Sequence, residues 1–105
     1  MEQTIVKFLT PLPHPGEILR EDFMIPFGLS AASISKMMGL KDRTRIERLS
    51  RCNSVLTPDT ALRLSRAFQT SAEFWMNLQS QHGLTRAAIE ASSTLNKIKP
   101  ISAVA

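Results

Sequence analysis

The chain contains 105 residues, 43% hydrophobic and 21% charged with a formal net charge of +4, which is typical of a single compact globular domain. A lone cysteine, Cys52, excludes an intramolecular disulfide, and with His14 and His82 it falls short of a structural zinc site. No apolar run approaches the roughly 20 residues that cross a bilayer, so membrane insertion is not indicated and we expect a cytoplasmic protein.

Helix-period spacing of apolar residues recurs between prolines, glycines and serines, which predicts an all-α protein. Residues 1–13 include two prolines and no helical period, and this indicates an extended N-terminal arm. The first helix is predicted to start at Pro15, where a missing N–H costs nothing, and to end at Pro26. Leu19 and Phe23, four residues apart, form its buried stripe.

Two short helices joined by a glycine turn come next. Ser30 is a favourable N-cap for a second helix over residues 31–38, and Gly39 suits the tight turn that ends it. The apolar spacing fits a helix-turn-helix motif if the turn holds one extra residue, at Lys41 or Asp42. Without that insertion a charged side chain of the next helix would occupy a core position.

The third predicted helix, over residues 43–51, is short and highly charged. Ile46 and Leu49 are its apolar seam, and a helix with so narrow a stripe presents its opposite face outward. Because the major groove of DNA admits one α-helix, this segment is the candidate recognition helix. The predicted DNA-contacting residues are Lys36, Lys41, Arg43, Thr44, Arg45, Glu47, Arg48 and Arg51.

The excess positive charge falls in this same part of the sequence. Residues 36–51 hold six basic and two acidic side chains, a balance of +4, whereas the rest of the chain has seven of each. One basic patch is typical of a surface that faces a polyanion such as a nucleic-acid backbone. A solvated face with incidental basic residues is the alternative.

The side-chain types suggest a role for each candidate contact. Arg48 and Arg51 are forked donors suited to guanine or phosphate, while Thr44 suits a thymine methyl group. Glu47 suits a cytosine amino group, or it pairs within the free helix with an arginine four residues away. The phosphate contacts that fix the register are assigned to Lys36, Lys41 and Arg43.

Further helices are predicted after the recognition helix. Cys52 stands where a helix C-terminal glycine is common, which indicates either a strained backbone or a longer helix. Thr57 is the expected N-cap of a fourth helix. Thr70 and Glu73 have capping-box spacing for a fifth helix, which is predicted to end near Gly83.

Several residues have a functional and a structural interpretation. Phe74, Trp75 and Leu78 have helical spacing typical of a core, although a partner-binding patch is the alternative. His82 is interpreted as a cap of helix C-terminal carbonyls, and His14 as structural. No nucleophile–base set, carboxylate pair or phosphate-cradling glycine loop is present, so we expect neither an enzyme nor a cofactor or metal.

An ordered set of short motifs adds family information. The motifs are His14-Pro15-Gly16-Glu17-Ile18-Leu19, Leu29-Ser30, Arg43-Thr44-Arg45-Ile46, Thr57-Pro58-Asp59-Thr60-Ala61-Leu62-Arg63-Leu64 and Ser71-Ala72-Glu73-Phe74-Trp75-Met76-Asn77-Leu78-Gln79. In this order they resemble the HigA-type antitoxins of the Xre helix-turn-helix superfamily. The resemblance covers residues 14–98 and implies a five-helix λ-repressor-like core, a homodimer, repression of its own operon and neutralisation of a HigB toxin, an mRNA-cleaving ribonuclease.

Three functions are compatible with these features. The first is a DNA-binding antitoxin and autorepressor, the second a solitary Xre-type regulator without a toxin partner, and the third a protein-interaction module that has lost DNA binding. The concentrated positive charge argues against the third. Ile89, Leu95 and Ile98 have no evident seat in a five-helix core, so the segment that holds them is the candidate dimerisation element. The chain is thus divided into an extended arm at residues 1–13, a helix-turn-helix domain at 14–83 and a C-terminal helix and tail at 84–105.

Overall fold

The computed structural model describes residues 10–101, which form helices and loops without a strand, as the sequence predicted. Most of the predicted N-terminal arm, residues 1–9, and residues 102–105 lie outside the described part. The first helical segment, α1, covers residues 15–27 and combines α-helical turns at Pro15–Ile18 and Ile25–Phe27 with a π-helical stretch at Leu19–Met24. The other helices are α2 (Ala31–Met37), α3 (Thr44–Ser50), α4 (Pro58–Phe68), α5 (Ala72–Glu90) and α6 (Ser92–Leu95).

The prediction that α1 ends at Pro26 is wrong. The π-helical stretch ahead of the proline changes the hydrogen-bond register, so that the Ile25 N–H donates to the carbonyl of Arg20, five residues earlier. Pro26 has no N–H to satisfy and is accommodated in the last turn. The helix ends at Gly28, whose φ of +63° is the left-handed conformation that glycine tolerates.

The helix-turn-helix forms as the spacing predicted. Ser30 caps α2 through a reciprocal pair of bonds, in which its hydroxyl accepts from the Ser33 N–H and the Ser33 hydroxyl accepts from the Ser30 N–H. Gly39 follows with a φ of +73°. In the turn, the Asp42 carboxylate accepts a 2.9 Å hydrogen bond from the Thr44 N–H at the start of α3. Asp42, one of the two positions predicted for the extra turn residue, therefore contacts the start of the recognition helix.

The core lies where α1 to α5 converge. Phe23 packs against the rings of Phe68 and Trp75, with ring centroids 4.7 and 5.3 Å away. Trp75 is fully buried, which confirms the core interpretation for this residue, whereas Phe74 is 40% exposed. The larger buried apolar residues are Leu19, Ile34, Met38, Ile46, Leu49, Leu56, Leu64 and Trp75.

Two predictions for α5 are wrong. Ser71, not Thr70, is the N-cap and accepts from the Phe74 N–H, because the Thr70 hydroxyl instead accepts a 2.7 Å hydrogen bond from the Trp75 indole. The helix also does not end near Gly83 but continues to Glu90. Burial of Thr85 and other residues beyond the glycine stabilises this continuation, so the domain boundary predicted after residue 83 falls inside α5.

The described end of the N-terminal arm is attached to the middle of α5. The Leu12 N–H donates to the Thr85 hydroxyl at 2.8 Å, and the Leu12 carbonyl lies 2.8 Å from Nδ1 of His82. His82 is structural, as predicted, but it does not cap helix C-terminal carbonyls, because α5 has no end at that point. Its imidazole instead holds the arm.

The last turns of α5, together with α6 and residues 96–101, extend from the helical body, and the described part of the chain measures 56 × 25 × 20 Å along its principal axes. Leu95 and Ile98 are exposed, which agrees with the prediction that they have no seat in the core, whereas Ile89, the third residue of that prediction, is half-buried. Within residues 10–101, every helix is too short or too polar to cross a lipid bilayer.

Candidate nucleic-acid interface

The recognition helix α3 is held by the two apolar residues that the sequence identified. Ile46 and Leu49 are buried in the core, and Thr44, Arg48 and Arg51 lie exposed on other faces of the helix. In the described part of the chain, no carboxylate lies within ion-pair distance of the Arg48 or Arg51 guanidinium groups. Both groups are thus available to an external anion.

Cationic side chains also flank α3. Lys36, in the last turn of α2, and Lys41, in the turn, are exposed and line a shallow groove together with Arg43 at the start of α3. A second groove is lined by Thr44, Arg45 and Arg48 from α3 together with the first turn of α4. All of the predicted basic contacts therefore lie on α3 or next to it.

Three of the predicted contacts, Arg43, Arg45 and Glu47, already have partners in the protein. Oε2 of Glu47 lies 3.1 Å from Nε of Arg43, so pairing within the free helix is the interpretation of Glu47 that the structure supports. Nη1 of Arg45 lies 2.6 Å from Oδ2 of Asp59 on α4. Hydrogen bonds from Arg45 and then Arg63 keep the pKa of the Asp59 carboxyl below its usual value, so this carboxylate stays charged.

Sequence analysis missed Arg20, which supports the end of α3. Nη1 of Arg20 on α1 donates a 2.5 Å hydrogen bond to the carbonyl of Ser50 at the last turn of the helix. Cys52 follows with a φ of +61°, so the strained backbone, not the longer helix, is the alternative that the structure adopts. The contact between Arg20 and the Ser50 carbonyl has no signal in the sequence, because it depends on how α1 and α3 pack.

Gly16 marks the closest approach of α1 to the recognition helix. A Cβ atom at this position would lie 1.7 Å from the carbonyl oxygen of Leu49. Only a residue without a side chain allows the two helices to pack at this distance. The glycine of the first sequence motif is therefore a packing requirement for α3.

His14 joins three parts of the structure near the end of α3. Its Nδ1 accepts a 2.8 Å hydrogen bond from the Gly16 N–H and caps α1, which confirms its structural role. Its Nε2 lies 3.0 Å from the carbonyl of Ser54, and this pattern requires the neutral tautomer with the proton on Nε2. The ring also meets the edge of His82 at a centroid distance of 5.0 Å.

We expect acid to destabilise the fold through His14. Burial, followed by the charge of His82, lowers the pKa of His14 below its ordinary value of 6.5. The unfolded chain then binds the proton first, so the free energy of unfolding falls as the pH drops from about 6.5 towards the folded pKa. Three smaller effects act on the same pKa. The hydrogen bond to the Ser54 carbonyl and the charge of Glu17 raise it, and the charge of Arg86 lowers it.

The measurement is the difference between wild type and His14→Asn in urea denaturation at several pH values. Asparagine retains a side-chain acceptor for the Gly16 N–H but does not titrate. The wild type is expected to lose more stability than the variant between pH 7 and pH 5, because only the wild type has the His14 imidazole whose pKa is lowered by folding. Parallel pH profiles for the two proteins would contradict the assignment.

Comparison with known proteins places the chain in a family. No protein-family model matches it. Virulence-associated protein I of Dichelobacter nodosus is 41% identical over 92 residues, which cover 88% of this chain and 83% of that protein. The Pseudomonas aeruginosa antitoxin HigA, solved with the higBA promoter, matches with a TM-score of 0.80 and 35% identity over 87% of this chain and 99% of its own. The chain belongs to the HigA-type antitoxins and Xre-like helix-turn-helix regulators.

A second antitoxin structure leads to the same assignment. Antitoxin GraA in complex with its operator has a TM-score of 0.82 and 32% identity, covering 91% of this chain and 97% of that chain. The five-helix helix-turn-helix fold with an additional C-terminal helix, predicted from the sequence, is thereby confirmed. In this HigA-type fold α2 and α3 are the helix-turn-helix, and α3 carries the exposed arginines.

Proposed function

We propose that this HigA-type chain is a sequence-specific DNA-binding antitoxin that represses its own operon and neutralises a HigB-type mRNA-cleaving toxin. The observation that carries the proposal is the position of Arg48 and Arg51 on α3, a helix anchored on its apolar side by Ile46 and Leu49. HigA-type relatives solved with promoter or operator DNA support the same reading. The function is that of a binding protein, and its action on DNA needs no catalytic group.

The proposed binding mode follows from the dimensions of DNA. The major groove accommodates one α-helix and displays a distinct donor and acceptor pattern for each base pair. Arg48 and Arg51 would contact guanine or phosphate there, and Thr44 a thymine methyl group. Phosphate contacts from Lys36 and Lys41 beside the helix would fix the register.

Arg48→Ala and Arg51→Ala are each expected to weaken binding to the duplex upstream of the chain's own gene by about 1–3 kcal/mol. Arg66→Ala is the matched control, because Arg66 is an exposed arginine of α4 outside both grooves beside α3. Gel-shift titrations at several salt concentrations measure both the affinity and its salt dependence. Equal affinities for all three variants would remove the two arginines from the interface.

We further propose that the chain acts as a homodimer through residues 84–105, whose exposed Leu95 and Ile98 project from the body. A dimer would place two recognition helices about one DNA turn apart on a palindromic operator. Leu95→Asp combined with Ile98→Asp is expected to give a monomer in sedimentation velocity. Leu62→Asp, at an exposed leucine of α4, is the control that should remain dimeric. A dimeric double variant would place the interface elsewhere.

A solitary Xre-type regulator without a toxin is the second candidate, because the surface around α3 would serve it equally well. The two functions differ in the neighbouring gene. If a short basic reading frame lies beside this one, its product should arrest growth when expressed alone, and co-expression of this chain should restore growth. Absence of such a frame, or growth arrest that the chain does not relieve, would favour the regulator.

A further inference from the structure

One carboxylate beside the recognition helix accepts hydrogen bonds from two arginines. Oδ2 of Asp59, in the first turn of α4, accepts from Nη1 of Arg45 at 2.6 Å and from Nε of Arg63 at 3.0 Å. The hydroxyl of Thr60 lies 3.4 Å from the same Nη1. Arg45 is thereby directed towards α4, in contrast to Arg48 and Arg51, which have no such partner among the described residues.

The second arginine extends this contact to the turn. Nη1 of Arg63 donates a 2.7 Å hydrogen bond to the carbonyl of Met38, the buried C-cap residue of α2. Since that carbonyl has no partner further along a helix, the guanidinium satisfies it. Arg45, Asp59 and Arg63, here named the Asp59 bridge, therefore connect α3, the first turn of α4 and the end of α2.

From this geometry we infer that the Asp59 bridge sets the angle of α3 against α2, and that Arg45 is a positioning residue that does not touch the duplex. The inference rests on the proposed DNA-binding function and changes the role predicted for Arg45. Two helices that meet at a short turn are held at a fixed angle only if contacts exist beyond the turn. The bridge supplies such contacts on the side of α3 that faces α4.

A carboxylate near DNA has a second possible effect, which is opposite in sign. Asp59 is partly exposed and would repel phosphates, or it would compete with them for Arg45. If that effect dominates, neutralising Asp59 tightens binding. If positioning dominates, neutralising it weakens binding even though the net charge of the protein becomes more positive.

The experiment compares variants with equal charge changes. Asp59→Asn breaks the bridge, and Asp22→Asn is the matched control, because it removes one negative charge from an exposed position of α1 outside both grooves beside α3. Binding to the duplex upstream of the chain's own gene is measured by fluorescence anisotropy, and thermal unfolding reports the folded state. We expect Asp59→Asn to lose affinity by about five- to tenfold and Asp22→Asn to bind as the wild type does or slightly better. Asp59→Glu should recover most of the loss.

Salt dependence then separates positioning from phosphate contact. When the logarithm of the affinity is plotted against the logarithm of the salt concentration, a variant that loses a phosphate contact has a slope that is smaller in magnitude by about one. Arg45→Ala should instead lose affinity with an unchanged slope. The double variant Arg45→Ala with Asp59→Asn should be no weaker than either single variant, because each alone breaks the contact between α3 and α4.

The outcomes are distinguishable. Tighter binding of Asp59→Asn, or a reduced slope for Arg45→Ala, would overturn the inference and leave the DNA-binding function intact. A wild type that shows no salt-dependent preference for the duplex would overturn the proposed function and the inference with it. Because the bridge is on the surface, its variants should unfold near the wild-type temperature, and affinity lost only in proportion to unfolding would also contradict a positioning role.

Discussion

Gly16→Ala is expected to lower the free energy of unfolding by about 3 kcal/mol or more, because the added methyl group would meet backbone atoms of α3. Its Cβ would lie 1.7 Å from the carbonyl oxygen of Leu49 and 2.8 Å from the carbonyl carbon. Neither atom belongs to a flexible side chain, so relief requires α1 and α3 to separate. The same separation should weaken DNA binding, since α1 supports the recognition helix.

Urea denaturation measures this loss, and Gly83→Ala is the matched control. Gly83 lies inside α5, and nothing within 4 Å would meet a methyl group there. Replacing a glycine by alanine in a helix interior stabilises a protein by about 0.5–1 kcal/mol. The two glycines should therefore respond in opposite directions. A Gly16→Ala variant within about 1 kcal/mol of the wild type would show that α1 does not pack on α3 as described.

Trp75→Ala is expected to cost about 3–5 kcal/mol, the range for removing a large buried aromatic side chain. The indole is fully buried, packs against Phe23 and donates a hydrogen bond to the Thr70 hydroxyl. Its removal leaves a cavity and a hydroxyl without its donor. Since small domains are stable by only about 5–15 kcal/mol, the variant should be close to its unfolding threshold.

Phe74→Ala is the control for Trp75→Ala. Phe74 is the adjacent aromatic residue on the same helix and is 40% exposed, so its truncation removes less buried surface and should cost about 1–2 kcal/mol. Guanidinium denaturation with a fluorescence-independent probe such as circular dichroism suits both variants. Equal losses at the two positions would contradict the assignment of Trp75 to the core and of Phe74 to its edge.

Local patterns were sufficient to predict the recognition helix. Ile46 and Leu49 are the only large apolar residues of α3, and their spacing fixes which side of the helix is buried. N-caps such as Ser30 and Thr57 were also predictable, because a cap bonds to groups two or three residues away. These signals determine the start of an element and its buried face without knowledge of the rest of the fold.

Contacts between distant residues were not predictable from such patterns. Gly83 is a typical helix terminator in isolation, but tertiary burial beyond it continues α5. The four-residue spacing of Asp59 and Arg63 was visible in the sequence, whereas the contacts of the pair with Arg45 and with the Met38 carbonyl depend on helix packing. The sequence thus indicated that the surface around α3 is positively charged. It did not indicate which of its arginines are paired within the protein.

The central claim is that α3 lies in the major groove of operator DNA, and Cys52 allows it to be tested directly. This residue is the single cysteine of the chain, is exposed and lies two residues after the end of α3. An iron–EDTA reagent attached to its thiol cleaves DNA near the end of the recognition helix. The control carries the reagent on Ser80→Cys in a Cys52→Ser background, at an exposed position of α5 outside the proposed dimer element.

Cleavage of the duplex upstream of the chain's own gene is then mapped on both strands. We expect two symmetric clusters of cuts with centres about one DNA turn apart for the reagent at Cys52, and little cleavage for the reagent at position 80. Diffuse cleavage along the duplex, or equal cleavage from both positions, would contradict the central claim.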